Sequence, residues 1–344
     1  MSDRLSSRFG SSSSRGHVRR RRRSLPDWVV VLAAVIGLLV AGAIIREIIL
    51  QLGGENETTN AQHNRVWLKE AWTLNEVTPE QVDVLVERLQ ENNIDRIYVE
   101  TGAWRVNGEY REHAYAQSFR ERIRAADSDI EVLVWVWFEP EQHGDSTSQV
   151  SLVNYIRNTT EEWGYDGVHL QGFNVFNGSE IFVRMVRALE EVLDGGVLSI
   201  TVPPDHIPSD ARVPRGAGNP SVSWQPEYKQ RLIVIVDEIA VMAHAGGLES
   251  PEDYERWVSY QVETYARDIE RIDVGTDMVV VLPSYPAAIL HDPDIENVST
   301  AINGARNGIR QAGDAGDRVI GAGLYFYENA TPEDWAEFKD RWVD

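Results

Sequence analysis

The sequence predicts an α/β fold, namely a (β/α)8 barrel preceded by a single transmembrane helix. Two patterns carry this prediction. Short apolar runs alternate with amphipathic helical segments through residues 65–344, and strand–helix alternation is typical of a parallel sheet. An apolar run of transmembrane length lies upstream, just after a cluster of arginines. The chain also lacks cysteine, which excludes disulfides, thiolate metal sites and cysteine nucleophiles.

The N-terminal residues 1–27 are rich in serine and arginine and are predicted to be a disordered basic tail. Residues 28–50 form the predicted transmembrane anchor. Residues 28–45 alone are 18 uncharged apolar residues, and about 20 residues span a bilayer. Arginine clusters mark the cytoplasmic side, so the tail is expected inside the cell and the C-terminal domain outside. The length of the run favours an uncleaved anchor over a cleaved signal peptide. The expected partner of residues 28–50 is the lipid bilayer, and no nucleic acid is expected to bind the arginines.

Charge divides the chain at the same place. The first 50 residues carry a net charge of +6 and the remainder a net charge of −27, and only three of the 33 basic residues are lysines. An acidic surface poor in lysine resembles proteins of halophilic organisms, in which salt screens the self-repulsion. The alternative is an ordinary acidic exported domain.

Residues 51–64 are polar and aperiodic, and they are predicted to be a flexible stalk. Five Asn-x-Ser/Thr sequons agree with an extracellular glycoprotein: Asn56, Asn158, Asn177, Asn297 and Asn329.

Eight apolar runs are the predicted strands of the barrel domain, residues 65–344: Val66–Ala71, Arg96–Glu100, Val132–Phe138, Gly167–Gln171, Val197–Val202, Leu232–Met242, Met278–Leu282 and Val319–Tyr325. The first connecting helix is predicted over Pro79–Glu91, because its apolar residues recur with the helical period and Thr78 precedes a proline at the first helical position. Eight units in 280 residues fit a closed barrel better than an open doubly wound sheet. No glycine-rich phosphate loop follows the first strand, which weakens a nucleotide-binding alternative.

The fourth predicted strand carries the most informative motif, Asp166-Gly167-Val168-His169-Leu170-Gln171. It resembles the fourth strand of (β/α)8 barrels of the glycoside hydrolase superfamily, in particular the putative glycosyl hydrolases whose strand reads Asp-Gly-Ile-His-Leu-Asp. The resemblance implies a barrel with its active site at the carboxyl ends of the strands. Gln171 stands where that group has its last Asp, and glutamine cannot ionise, protonate a leaving group or attack an anomeric carbon.

The chain also resembles the chitinase-like family 18 barrels. In that pattern the three acids of the fourth strand fall at His169, Gln171 and Phe173, and none of these is a carboxylic acid. The tyrosine position of the sixth strand holds His244, whereas the end of the seventh strand, Leu282-Pro283-Ser284-Tyr285, looks like the Leu-Pro-x-Tyr found there. The resemblance therefore implies the scaffold with a degenerate catalytic motif, and not the substrate-assisted chitinase mechanism.

Two glutamates remain as candidate catalytic residues. Strand alternation points Glu100 and Glu139 into the barrel at the ends of neighbouring strands. Adjacent strands lie ~4.8 Å apart, so the two carboxyl groups are expected near the ~5–5.5 Å separation of retaining glycosidases. Trp137 is expected to desolvate Glu139 and raise its pKa, as a general acid requires. The alternative is that Glu139 only forms a salt bridge, to Lys69 or to an arginine.

Polar and aromatic side chains at the strand ends are the expected substrate-binding residues, because sugar rings stack on flat aromatic faces. They are Lys69, Trp104, Trp137, His169, Gln171, His244, Tyr285 and Tyr327. Packing of the barrel top is the alternative role for any one of the aromatic rings. The histidines lack the spacing of a metal deacetylase, and Ser284 lacks the Gly-x-Ser-x-Gly motif of an esterase. No metal and no cofactor are predicted.

These features together predict a membrane-anchored extracellular protein, similar to glycoside hydrolases, that acts on a polysaccharide or a surface glycan. The alternative is a catalytically inactive carbohydrate-binding pseudoenzyme at the cell surface, which Gln171 and Phe173 favour. A membrane-tethered interaction module is a third option and requires a large apolar surface patch. The sequence leaves open whether the chain is an enzyme.

Overall fold

The computed structural model describes residues 61–218, 222–272 and 274–344. These residues contain ten strands: β1 (Asn64–Leu68), β2 (Ile94–Glu100), β3 (Gly102–Trp104), β4 (Tyr110–Glu112), β5 (Glu131–Phe138), β6 (Gly167–Gly172), β7 (Val197–Val202), β8 (Glu238–Val241), β9 (Asp277–Pro283) and β10 (Val319–Tyr325). Eight of them form a closed parallel barrel in the order β1, β2, β5, β6, β7, β8, β9, β10, while β3 and β4 form a small hairpin. The predicted (β/α)8 barrel is confirmed.

Helices connect successive strands. The α-helices are Ala71–Leu74, Pro79–Glu91, Ala116–Ala126, Pro140–His143, Ser146–Glu161, Glu180–Glu190, Pro226–Ile233, Pro251–Ile272, Val298–Ala312 and Pro332–Phe338. A 3-10 helix, Gly313–Arg318, follows Val298–Ala312, and a π-helix, Lys339–Val343, follows Pro332–Phe338. The predicted helix Pro79–Glu91 is confirmed. The Thr78 side chain caps it by accepting a hydrogen bond from the N–H of Gln81, whose own side chain accepts from the N–H of Thr78.

The predicted strand Leu232–Met242 is wrong at its start. Leu232 and Ile233 are the buried end of the helix Pro226–Ile233, and β8 covers only Glu238–Val241. A buried helix end and a buried strand produce the same kind of apolar run, so periodicity does not separate them. The first strand is also shorter than predicted, because it ends at Leu68 and a short helix begins at Ala71.

The predicted tail (1–27), the predicted anchor (28–50) and residues 51–60 of the predicted stalk lie outside the described residues. Within the described part of the chain, no helix is long and apolar enough to cross a membrane. The barrel domain begins slightly before residue 65. Ala61 and Asn64 are buried, and the Asn64 side-chain amide donates to the carbonyl oxygens of Ala61 and Asn92 at 3.0 and 2.9 Å.

Side chains of the barrel strands alternate between two cores. Ile97 and Val99 of β2 pack in the larger, outer core against the helices. The barrel interior is filled by a second cluster: Trp67, Tyr98, Leu133, Trp135, Ala240, Val279, Val281 and Tyr325, with Trp137 packed against it. The predicted inward direction of Tyr98, Trp135 and Trp137 is thereby confirmed. Gly323 makes room for this interior cluster, because a Cβ at that position would lie 2.6 Å from the Trp67 ring.

The amino-terminal end of the barrel holds a buried ionic network around Glu238. One carboxylate oxygen accepts from Nε of Arg65 at 2.9 Å and from Nη1 of Arg96 at 2.7 Å. The other accepts from the Tyr98 hydroxyl and, at 2.8 Å, from the Ser199 hydroxyl. Burial by itself raises the pKa of Glu238, but the two guanidinium groups outweigh it and hold the pKa well below its usual range. A charged carboxylate therefore joins β1, β2, β7 and β8.

Candidate functional site

A cavity of about 350 Å³ lies at the carboxyl ends of the barrel strands, where barrel enzymes place their active sites. The ends of β5 to β8 and of β10, with the loops that follow them, form its wall. No described residue of this wall carries a formal charge. The wall consists of Trp137, Gln171, Gly172, Phe173, Asn174, Val175, Thr201, Val202, Pro203, Pro204, Val222, Trp224, Met242, His244 and Tyr325.

Gln171 lies almost buried in this wall, and both ends of its amide are engaged. Its Oε1 accepts from the indole N–H of Trp135 at 2.9 Å, and its Nε2 donates to the Tyr325 hydroxyl at 2.8 Å. The amide thus ties β6 to β5 and to β10 across the barrel. A neutral link occupies the position where the resemblance to glycosyl hydrolases implies an acid.

His169 lies below the cavity, in the barrel interior, and the structure does not place it where a ligand can reach it. Its side chain is fully buried and stacks on the Tyr98 ring with 3.9 Å between ring centroids. Its Nδ1 lies 2.8 Å from the Ser199 hydroxyl. Burial lowers the pKa of His169 to about 3, so the ring is neutral. Strand alternation gives the direction of a side chain but not its depth, so the burial of His169 gives no support to its predicted role in substrate binding.

His244 connects the cavity wall to a line of buried polar groups. Its Nδ1 lies 2.8 Å from the Tyr285 hydroxyl. The Tyr285 ring packs on His291 with 4.0 Å between centroids, and Nε2 of His291 lies 3.0 Å from the Tyr285 carbonyl oxygen. The buried Glu296 carboxylate is 3.3 Å from Nδ1 of His291 and also accepts the N–H of Gly246 at 2.9 Å. Burial lowers the pKa of His244 to about 3. The line of contacts therefore fixes the loop after β8 and holds a neutral imidazole in the wall.

No protein-family model and no curated protein matches the sequence of this chain. Solved structures match its fold. The spore cortex-lytic enzyme SleL of Bacillus cereus is 10% identical, covers 81% of this chain and 74% of its own, and has a TM-score of 0.56. A chitinase of Chromobacterium violaceum is 12% identical, with coverage of 83% and 100% and a TM-score of 0.54. A family 18 N-acetylglucosaminidase of Paenibacillus barengoltzii is 11% identical, with coverage of 81% and 99% and a TM-score of 0.53.

The chain has the fold of the chitinase-like glycoside hydrolases. The resemblance seen in the fourth strand is confirmed at the level of the scaffold. At these identities the likeness concerns the barrel alone, so the chemistry of this chitinase-like barrel depends on its own side chains.

Glu100 ends β2 outside the described wall of the cavity and belongs to a group of three carboxyl groups. Burial, followed by the charge and hydrogen bond of Glu70 and the charge of Glu328, raises the pKa of Glu100 to about 7. The Glu100 carboxyl group therefore keeps its proton to a higher pH than an ordinary glutamate does. Glu328 is itself held by two N–H donors, the backbone of Lys69 at 2.8 Å and the Trp72 indole at 2.9 Å.

Glu139 lies one residue beyond β5, at the rim of the cavity. Its Oε1 accepts from the side-chain amide of Asn174 at 2.8 Å, and its Oε2 accepts from that of Gln142. Both carboxyl oxygens of Glu139 are thus held by side-chain amide donors. The expected alternative partner, Lys69, donates instead to Oδ1 of Asn329 at 2.5 Å.

The strand register offsets Glu100 from Glu139. The Cα of Glu100 pairs with that of Trp135 in the sheet, and Glu139 lies four residues further along the chain. At ~3.3 Å per residue the two positions differ by roughly 13 Å along the strand direction. Paired glycosidase carboxyl groups are about 5–5.5 Å apart in retaining enzymes and about 6.5–9.5 Å apart in inverting ones. The two glutamates also contact different partners, so the predicted pairing finds no support in this geometry.

Two of the aromatics predicted to bind substrate lie outside the wall of this cavity and pack against other rings. Trp104 stacks on His143 with 4.2 Å between ring centroids and donates its indole N–H to the carbonyl oxygen of Trp137 at 2.6 Å. Tyr327 packs against Trp72 and Trp335, with centroid distances of 5.7 and 5.6 Å, in the outer core. β10 ends at Tyr325, so strand alternation does not extend to residue 327.

Of the residues predicted to bind substrate, Trp137, Gln171 and His244 do line the cavity. Sequence reasoning missed two other large wall residues, Tyr325 and Trp224. Alternation along β10 contains the signal for Tyr325, which packs in the interior cluster. Trp224 lies in the long connection between β7 and the helix Pro226–Ile233, whose path no sequence pattern indicates.

Proposed function

We propose that this chain is a glycan-binding protein that holds a sugar residue in the cavity at the carboxyl ends of its strands. The observation that carries the proposal is the composition of the cavity wall, which combines aromatic rings and amides with no charged side chain among its described residues. Ligand cavities of this kind bind through apolar contact and a few placed polar groups. The similar structures include chitinases, which supports a polysaccharide as the ligand.

We propose further that the barrel stands outside the cell membrane. The apolar residues 28–45 and the arginines that precede them support an anchor with a cytoplasmic tail. A barrel tethered in this way would meet the glycans of the cell surface or of the medium.

Two exposed phenylalanines give a matched test of glycan binding. Phe173 lines the cavity and is 51% exposed, whereas Phe176, which is 41% exposed, is not part of the described wall. Depletion isotherms of the full-length protein on chitin, cellulose and mannan measure the affinity. Phe173→Ala should weaken binding about 5- to 20-fold, which corresponds to roughly 1–2 kcal/mol of lost apolar contact. Phe176→Ala should bind like the wild type. If all three isotherms coincide on every polysaccharide that is bound, the cavity is not the binding site.

Hydrolysis is a second candidate function, and one observation favours it. Glu100 has a pKa raised to about 7, which is the range that a general acid needs near neutral pH. The environments therefore favour Glu100 over Glu139 as the acid, since Glu139 contacts two amide donors.

The release of reducing ends from a bound polysaccharide tests hydrolysis directly. If the wild type hydrolyses its ligand, Glu100→Gln should lower the rate by about 10²–10⁴-fold, as expected for the loss of a general acid. Glu139→Gln should lower it less, because the amide still accepts one of its two hydrogen bonds. A wild type that binds the polysaccharide and releases no reducing ends would exclude this second function and leave the first intact.

A further inference from the structure

His244 lies in the cavity wall, and its buried ring nitrogen Nε2 has no hydrogen-bond partner in the described part of the chain. Building on the proposed function, we infer that the cavity takes an uncharged sugar residue in preference to a uronate or a sulfated sugar. We infer also that the Nε2–H of His244 is the donor that recognises an oxygen of that sugar.

The hydrogen-bond partner of His244 determines which ring nitrogen carries the proton. The ring is neutral because burial lowers its pKa to about 3. Its Nδ1 lies 2.8 Å from the hydroxyl of Tyr285. A phenol hydroxyl is a stronger donor than a neutral imidazole N–H, so the Tyr285 hydroxyl donates and Nδ1 accepts. The single ring proton of His244 is then on Nε2.

Nε2 of His244 is shielded from solvent and has no hydrogen-bond partner in the described part of the chain. Tyr285, which occupies the Nδ1 edge of the ring, is not part of the described cavity wall, whereas His244 is. The Nε2 edge, on the side of the ring away from Tyr285, is therefore the edge left for a ligand in the cavity. Met242, a flexible side chain, lies beside it in the wall and can move aside for an incoming oxygen. An unpaired buried N–H costs about 1–3 kcal/mol, and an acceptor on the ligand removes that cost.

The same wall disfavours charged ligands. Its described residues include no lysine or arginine that would pair with a carboxylate or a sulfate. Glu139, which accepts a hydrogen bond from the wall residue Asn174, is an acid and offers an anionic ligand no counterion. An anionic sugar would lose its hydration without gaining a counterion, and burying an uncompensated charge is strongly unfavourable. The cavity therefore selects for neutral rings.

Matched oligosaccharides test the selection by charge. The probes are the hexaoses of glucose, mannose and N-acetylglucosamine, each beside its C6-carboxylated and its sulfated counterpart, with binding to the full-length protein measured by calorimetry in 1 M and 3 M NaCl. Screening at these salt concentrations reduces the Debye length to about 3 Å or less, which removes the long-range repulsion from the acidic surface. We expect at least one neutral hexaose to bind and its anionic counterparts to bind at least about 100-fold more weakly. Equal affinities at high salt would overturn the inference.

Variants test the role of His244. His244→Phe keeps an aromatic ring without the N–H and should weaken binding of the neutral ligand about 5- to 100-fold. The control is His63→Phe, at an exposed position at the amino-terminal end of the barrel, which should leave this binding unchanged. The ¹⁵N NMR shifts of the His244 ring should show a proton on Nε2 in the wild type, and Tyr285→Phe should change that distribution. A proton on Nδ1, or unchanged affinity in His244→Phe, would refute the role of His244. Failure of every probe to bind would instead refute the proposed function together with this inference.

Discussion

Replacing Glu238 with glutamine tests the ionic network at the amino-terminal end of the barrel. Each oxygen of the Glu238 carboxylate accepts from two donors: Arg65 and Arg96 on one side, and the Tyr98 and Ser199 hydroxyls on the other. A glutamine amide keeps one oxygen and replaces the other with an N–H donor. Either the two guanidinium groups or the two hydroxyls must then face a donor in a fully buried position.

The expected loss of stability follows from these contacts. Removing one partner of a buried ion pair costs about 3–5 kcal/mol, because the remaining charge stays buried without compensation. Arg65 keeps Asp95 and Arg96 keeps Glu131 as second partners, so we expect the lower end of that range, about 3 kcal/mol. Domains are stable by roughly 5–15 kcal/mol, and the variant should therefore lose a large fraction of its free energy of unfolding.

Equilibrium unfolding in urea, followed by tryptophan fluorescence at constant high salt, measures this loss. Glu131→Gln is the matched control, because its carboxylate also pairs with Arg96, at 2.6 Å, but its side chain is 44% exposed. Exposed pairs contribute only about 0–1 kcal/mol. A Glu238→Gln variant that loses no more stability than Glu131→Gln would refute the reasoning that burial makes the Glu238 network contribute more to the free energy of unfolding than an exposed ion pair.

Four further outcomes are expected. Acid should destabilise the barrel, because the pKa values of His169 and His244 are lowered to about 3 in the folded protein, whereas unfolded histidines titrate near 6.5. Between these two pH values the unfolded state binds more protons than the folded state. Each ring therefore reduces the free energy of unfolding by up to about 1.4 kcal/mol per pH unit as the pH falls. Glu100, whose pKa is raised to about 7, opposes this trend in part, and stability that is flat from pH 6 to pH 4 would contradict the prediction. Gly323→Ala should cost about 1–3 kcal/mol in urea unfolding because its Cβ would lie 2.6 Å from the Trp67 ring, whereas Gly275→Ala, with open space around it, should not. The melting temperature should drop when molar salt is diluted, since the net charge after residue 50 is −27, and full stability in dilute buffer would count against a halophilic origin. Protease added to intact cells should digest residues 65–344 and spare the tail, and protection of the barrel would reverse the proposed orientation.

The barrel was predictable because its signals are local. Apolar runs at intervals mark the strands, and alternation on β2 and β5 correctly separates the inward-facing Tyr98 and Trp135 from the outward-facing Ile97 and Val99. These patterns depend only on the two-residue period of a strand, so they survive without knowledge of the neighbouring strands.

The candidate site was less predictable because its geometry depends on relations between strands. Register sets Glu100 level with Trp135 and far below Glu139, and no single strand encodes that offset. His169 is fully buried in the barrel interior, below the cavity, and strand alternation does not indicate this depth. Beyond a strand end the period is lost, which explains why Tyr327 turns to the outer core.

The network around Glu238 also limits the chemistry that this barrel can acquire. Of the three fourth-strand positions that hold acids in chitinase-like barrels, Phe173 is exposed, so a carboxylate there would meet water. A glutamate at position 171 would accept from the Trp135 indole and the Tyr325 hydroxyl once that hydroxyl reversed its direction. Position 169 differs, because Ser199 links it directly to the Glu238 carboxylate, and an acid there would set a second buried negative charge against the first. We therefore expect the full set of acids to be incompatible with the present Glu238 network, so that placing an acid at position 169 would require changes at the amino-terminal end of the barrel.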